Sequence, residues 1–193
     1  MTRRELLAAA ATASAGAFLL PTPARAREAV TLVAASRGAA YDIKVYNAHE
    51  WATVRLLVDY IIPKDARSGA ATDAAVPEFM DTMLDLDPTM RPANRGGLAW
   101  LDHQSRERFG QNFVDASDTQ RRQLLDLLAW PARAPKELSA GVAWFSSFRA
   151  LTASGFFTSE MGVNDLGYEG NTPVMEWHGC PPEALARLGV RYP

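Results

Sequence analysis

Five stretches of the chain repeat apolar residues at helical spacing, and no run alternates long enough for a sheet strand. From residue 47 onward Trp51, Val54, Leu57, Val58 and Ile61 share one face at i, i+3, i+6, i+7 and i+10, and Pro63 ends that helix. A loop of small and polar residues fills 64–75. The period resumes over 76–86 through Val76, Phe79, Met80, Met83 and Leu84, and Pro88 and Pro92 bracket the next break. Residues 98–113 read as a third helix with Leu98, Leu101 and Phe109 inward, Gly110 marking a bend or an early end. Ser117-Asp118-Thr119-Gln120 is a capping-box pattern. The helix it opens runs to about Trp130 and carries Leu124, Leu125, Leu127 and Leu128. A fifth, over 138–153, aligns Val142, Phe145, Phe148, Leu151 and Thr152, with Trp144 beside them.

Both flanks lack such a period. Residues 27–46 predict an extended lead-in lying over the rest of the chain. Past Gly155, the residues Gly162, Gly167, Gly170 and Gly179 with Pro173, Pro181 and Pro182 predict turns and single helical turns. Thr158-Ser159-Glu160 reads as a helix N-terminus with a hydroxyl cap, and Gly167 as the left-handed residue that ends that short helix. The fold class is therefore all-α: one small helical domain of about five helices with irregular N- and C-terminal arms.

The first 26 residues change this picture. Arg3 and Arg4 form a charged start, 6–20 are Ala-rich and mildly apolar, and Ala24-Arg25-Ala26 has the small-x-small form of a signal-peptidase site. The apolar run is shorter than the roughly 20 residues that span a bilayer. Residues 1–26 thus read as an export leader cleaved after Ala26, and 27–193 as a helical domain that reaches the periplasm with no membrane span of its own. The Arg-Arg-Glu-Leu-Leu start resembles the twin-arginine consensus, with Leu6 and Ala8 in place of its Phe and Lys. The ordinary unfolded-export route stays open.

Charge and cysteine count narrow the partners. The formal charge of −2 becomes more negative once a leader holding three arginines and one glutamate is gone, which argues against nucleic acid and anionic membrane surfaces. Cys180 is the single cysteine, so it pairs with another chain or stays a protected thiol.

No catalytic or cofactor constellation emerges. Glycine-rich dinucleotide turns, phosphate loops and nucleophile elbows are missing from the sequence. His49, His103 and His178 share no helical two-histidine spacing, and surface or capping roles suit them better than metal ligation. His178-Gly179-Cys180 offers one thiolate without a second close ligand. Asp85-Leu86-Asp87 and the acids at Asp115 and Asp118 lack the graded spacing of a calcium loop.

The C-terminal third carries a resemblance. Residues 155–171, GFFTSEMGVNDLGYEGN, followed by Gly179-Cys180-Pro181, resemble the signature of the gluconate 2-dehydrogenase subunit 3 family, as do Ile61-Ile62-Pro63, the loop through Gly69-Ala70, and 76–81. Ser68 stands where that family has proline, and Phe156 and Phe157 where it often has tyrosines. The resemblance implies a non-catalytic small subunit, without flavin of its own, that binds and stabilises a large FAD-dependent sugar or sugar-acid dehydrogenase subunit. It also implies that the leader exports both chains together, the flavoprotein travelling folded with its cofactor. Whether that partner carries an iron–sulfur cluster, and whether a cytochrome c subunit with haem completes the complex, stays open.

The interface residues so implied are Phe156, Phe157, Thr158, Ser159, Glu160, Tyr168, Asn171 and Cys180. The aromatics are expected to be exposed, and Cys180 to form an interchain disulfide. Two rival readings remain: a free-standing exported binding protein, and a small exported hydrolase using Cys180 or a His and Asp pair.

Overall fold

The computed structural model describes residues 22–36, 40–168, 175–176 and 179–192. Among these residues the chain is all helical, with eight α-helices and no strand, more than the five that periodicity marks. They are α1 (Pro23–Ala35), α2 (Ala48–Ile61), α3 (Val76–Leu86), α4 (Arg91–Phe109), α5 (Asp118–Ala129), α6 (Ser139–Phe157), α7 (Glu160–Leu166) and α8 (Pro182–Leu188). Short 3-10 turns at Pro88–Met90 and Lys136–Leu138 lead into α4 and α6.

α6 is the hub. Arg149 is its only charged residue in 19, and a helix apolar nearly all round belongs inside. It packs against α1, α2, α3, α4, α5 and α7. Its hydroxyls bond back to carbonyls one turn earlier, Ser146 to Val142, Ser147 to Ala143, Thr152 to Phe148 and Ser154 to Ala150, so they can be buried without outside partners. The α4–α6 crossing is close because two glycines admit two indoles. A methyl built at Gly97 would overlap Trp144, and one at Gly141 would overlap Trp100.

Asp81 organises the other side. It lies on α3, fully buried. Its Oδ1 accepts the backbone N–H groups of Val45 and Tyr46 at 3.0 Å, and its Oδ2 accepts Lys44 N–H at 2.7 Å and the Tyr41 hydroxyl at 3.0 Å. A buried carboxylate is tolerated only when so satisfied. The segment 41–46 thereby lies along α3 with the amides of Lys44, Val45 and Tyr46 paired, although it forms neither helix nor strand. Tyr46 then donates to Asn94 on α4 at 2.8 Å. Burial, and next the Asp81 charge, hold the Tyr46 phenol well above the ordinary tyrosine range; burial does the same to Tyr41.

Asn47, immediately after this segment, starts α2 with a capping box, its Oδ1 accepting from Glu50 N–H while Glu50 accepts from Asn47 N–H, both at 2.9 Å. Glu50 also holds Arg95 of α4 at 2.8 Å.

Three expectations need correction. The lead-in is irregular over 40–46, with a bend at Lys44 and Val45; Pro23–Ala35 is a helix, with Ala26, Ala29 and Val33 buried. Its period runs across Ala26, where the leader is expected to end, so neither half shows it alone. The third helix begins at Arg91 rather than near Leu98, because Pro92 sits in its first turn, where a missing N–H costs nothing. It ends at Gly110 in the left-handed conformation (φ 75°). The fifth helix continues through Gly155 to Phe157, and Gly155 faces the ring of Phe79.

These contacts set three outcomes. Asp81→Ala strands three backbone amides, buried at Tyr46 and half-buried at Lys44 and Val45, and is expected to cost about 3 kcal/mol, read by urea unfolding; a loss below about 1 kcal/mol would contradict the anchoring role. Gly97→Ala is expected to cost about 1–3 kcal/mol by overpacking, visible as a lowered Tm. Because folding raises the Tyr41 and Tyr46 pKa values, the stability they contribute is complete below the unfolded-state value near pH 10 and falls as pH rises above it. Absorbance titration should therefore show these two phenols ionising only as the helical signal is lost.

Candidate partner interface

The core closes at Phe156. That side chain is 1 % exposed and meets Phe157 edge-on at 5.2 Å between centroids. Ser159, two residues further on past Thr158, is also buried; its Oγ donates to Phe156 O at 2.6 Å and accepts from Gly162 N–H at 3.1 Å, capping α7. Gly162 lies against the Phe156 carbonyl, where a Cβ would not fit. Thr158 donates to Ser154 O at 2.5 Å, and Glu160 sits exposed in the first turn of α7. Gly167 ends the helix in the left-handed conformation (φ 63°). Arg67, from the α2–α3 loop, pairs with Asp165 at 3.3 Å, tying α7 to the body.

Beyond Phe156 fewer large apolar side chains are covered, although Met161 still packs against the core. Nine are exposed among the described residues, and seven of them lie past residue 156: Phe157, Leu166, Tyr168, Met175, Leu188, Val190 and Tyr192. Since only Leu32 and Trp130 precede them, the exposure is a property of the C-terminal arm. α8 buries none of its seven residues. The arm has local order nonetheless: Tyr192 Oη accepts Cys180 N–H at 2.7 Å, and the Tyr192 ring lies on Gly179. Cys180 is a free, half-buried thiol.

The sequence-predicted interface therefore divides. Phe157, Thr158, Glu160 and Tyr168 are exposed, and Cys180 is partly accessible. Phe156 and Ser159 are internal, which corrects the expectation of an exposed Phe156: helix α6 runs four residues further and turns that ring inward. Asn171 lies outside the described residues, as do Arg3, Arg4 and His178. Ala24 and Ala26 lie in the first turn of α1. Leu166, Leu188, Val190 and Tyr192 are the residues that sequence reasoning missed. Leu166 and Leu188 end seven-residue helices too short to bury them, and Val190 and Tyr192 follow α8 outside any helix.

One histidine pairs with an acid. His49 Nε2 lies 2.5 Å from Asp102 Oδ2, while Asp102 Oδ1 accepts Phe113 N–H at 2.9 Å. Asp102 is thus held by two structural neighbours, joining α2, α4 and the loop before α5. Among the described residues no group of three or more His, Cys, Asp or Glu is placed to hold a metal ion, and no helix is long and apolar enough to cross a membrane.

Neither a curated protein nor a solved structure matches the chain. The family described as gluconate 2-dehydrogenase subunit 3 matches residues 48–175, from the start of α2 to the exposed Met175. The protein belongs to the gluconate 2-dehydrogenase subunit 3 family.

Proposed function

We propose that the chain is the non-catalytic small subunit of an acceptor-dependent, FAD-containing sugar or sugar-acid dehydrogenase, and that its C-terminal arm binds and stabilises the large flavoprotein subunit. The observation that carries this reading is the run of exposed apolar side chains from Phe157 to Tyr192, in a family named for a dehydrogenase subunit. Interfaces are enriched in aromatics and Met at their cores, and arms that bury little of themselves gain most from a partner.

The leader, with Arg3 and Arg4, would direct the assembled pair through the twin-arginine route to the periplasm. Cys180, at the edge of the arm, would cross-link the two chains there. FAD would reside in the partner.

Purification of the tagged chain from a periplasmic extract of its host is expected to bring down a large, yellow subunit that oxidises a sugar or sugar acid with an artificial acceptor. On a non-reducing gel the summed band should collapse with reductant or with Cys180→Ser. Leu188→Asp with Val190→Asp should weaken the complex by about 30-fold or more while leaving the Tm of the free chain unchanged, since neither side chain is buried. Arg3→Lys with Arg4→Lys should strand the dehydrogenase activity in the cytoplasm. Recovery of the chain alone, without flavin, would contradict the subunit role.

A further inference from the structure

The small-x-small motif lies inside the docked helix α1. Thr22 caps α1, its Oγ1 accepting from Arg25 N–H at 3.4 Å, and Pro23 occupies the first turn. Ala26 is 9 % exposed and Ala29 fully buried, as α1 packs on α3 and α6. The Arg25 guanidinium binds the Asp87 carboxylate at the end of α3. The bond between Ala26 and Arg27 is therefore helical, docked on one side and flanked by an ion pair.

Proteases take their substrates in extended form, so a bond inside a docked helix is cut only through local opening, at a rate set by the population of the open form. We propose that docking of α1 protects the Ala26–Arg27 bond, so that the leader is removed only from chains in which α1 has come away from α3. This rests on the reading of residues 1–26 as an export leader. It makes α1 a conformational gate on processing: the same three small apolar residues that close the core, Ala26, Ala29 and Val33, set how long the leader stays attached.

The test uses the full-length chain and a peptide of residues 12–36, which lacks the α3 and α6 surface, as its undocked counterpart, each incubated with signal peptidase in detergent, with product termini read by mass spectrometry. Cleavage after Ala26 is expected in the peptide and at least tenfold more slowly in the folded chain. Equal rates would overturn the protection. Cleavage of neither would overturn the leader reading instead, and trypsin, which cuts after Arg25 and Arg27, then tests protection by itself. The folded chain should yield those tryptic products at least tenfold more slowly than Val33→Asp, in which α1 cannot dock; equal rates would sink the proposal. Should Val33→Asp fail to fold, amide exchange decides on the wild type: protection of 27–35 by tenfold or more supports the gate, and exchange at unstructured rates overturns it.

Discussion

A single carboxylate, Asp81, carries the geometry of half the molecule. A carboxylate offers about four acceptor positions, and here four donors from 41–46 fill them. Three of those donors are backbone amides of a segment with no ladder and no helical partner, buried at Tyr46 and half-buried at Lys44 and Val45, so without Asp81 they would lose their acceptor. With it, the chain is led from α1 along α3 and delivered to Asn47 at the angle that starts α2. The positions of Glu50 against Arg95, and of His49 against Asp102, depend on that start. The acid is thus an element of chain routing, and the buried Tyr46 and half-buried Tyr41 beside it share its dependence on a low-dielectric setting.

α6 performs the complementary task on the other side. Its apolar circumference gathers α2, α3, α4 and α5 into one core, and two glycine contacts let Trp100 and Trp144 interlock across the α4 crossing. The core is complete by Phe156 and Ser159. The C-terminal arm differs chemically: α7 is pinned by its cap and by Arg67, but its outer residues, and those of α8, present apolar surface outward. A domain that has already closed its core has no structural use for such surface, and this contrast supports the interface reading.

Much of the fold was legible because helix periodicity is a local signal. α2, α3 and α5 stand where Trp51 to Ile61, Val76 to Leu84 and the Ser117 capping box place them, and the Ser159 cap and Gly167 terminus of α7 are likewise as read. The misses have physical causes. Pro92 looks like a breaker but starts a helix. α1 was hidden because its first turn, Ala24 to Ala26, resembles a cleavage motif, and Ala29 and Val33 sit in a stretch after it whose period is too short to stand out. Asp81 could not be singled out, since its partners are backbone amides more than thirty residues away, and a backbone amide leaves no mark in a sequence. Phe156 and Phe157 are adjacent and identical in type, yet one closes the core and the other faces out, a distinction that depends on where α6 ends.

If a flavoprotein partner completes the C-terminal arm while the helical core is complete without it, the two regions must respond differently to binding. Hydrogen exchange read by mass spectrometry, on the free chain and on its complex with that partner, separates them. Exchange should slow on binding in 157–168 and 179–192, with α2, α3 and the interior of α6 already protected in the free chain. Unchanged exchange across the arm, with new protection confined to the core helices, would contradict the interface.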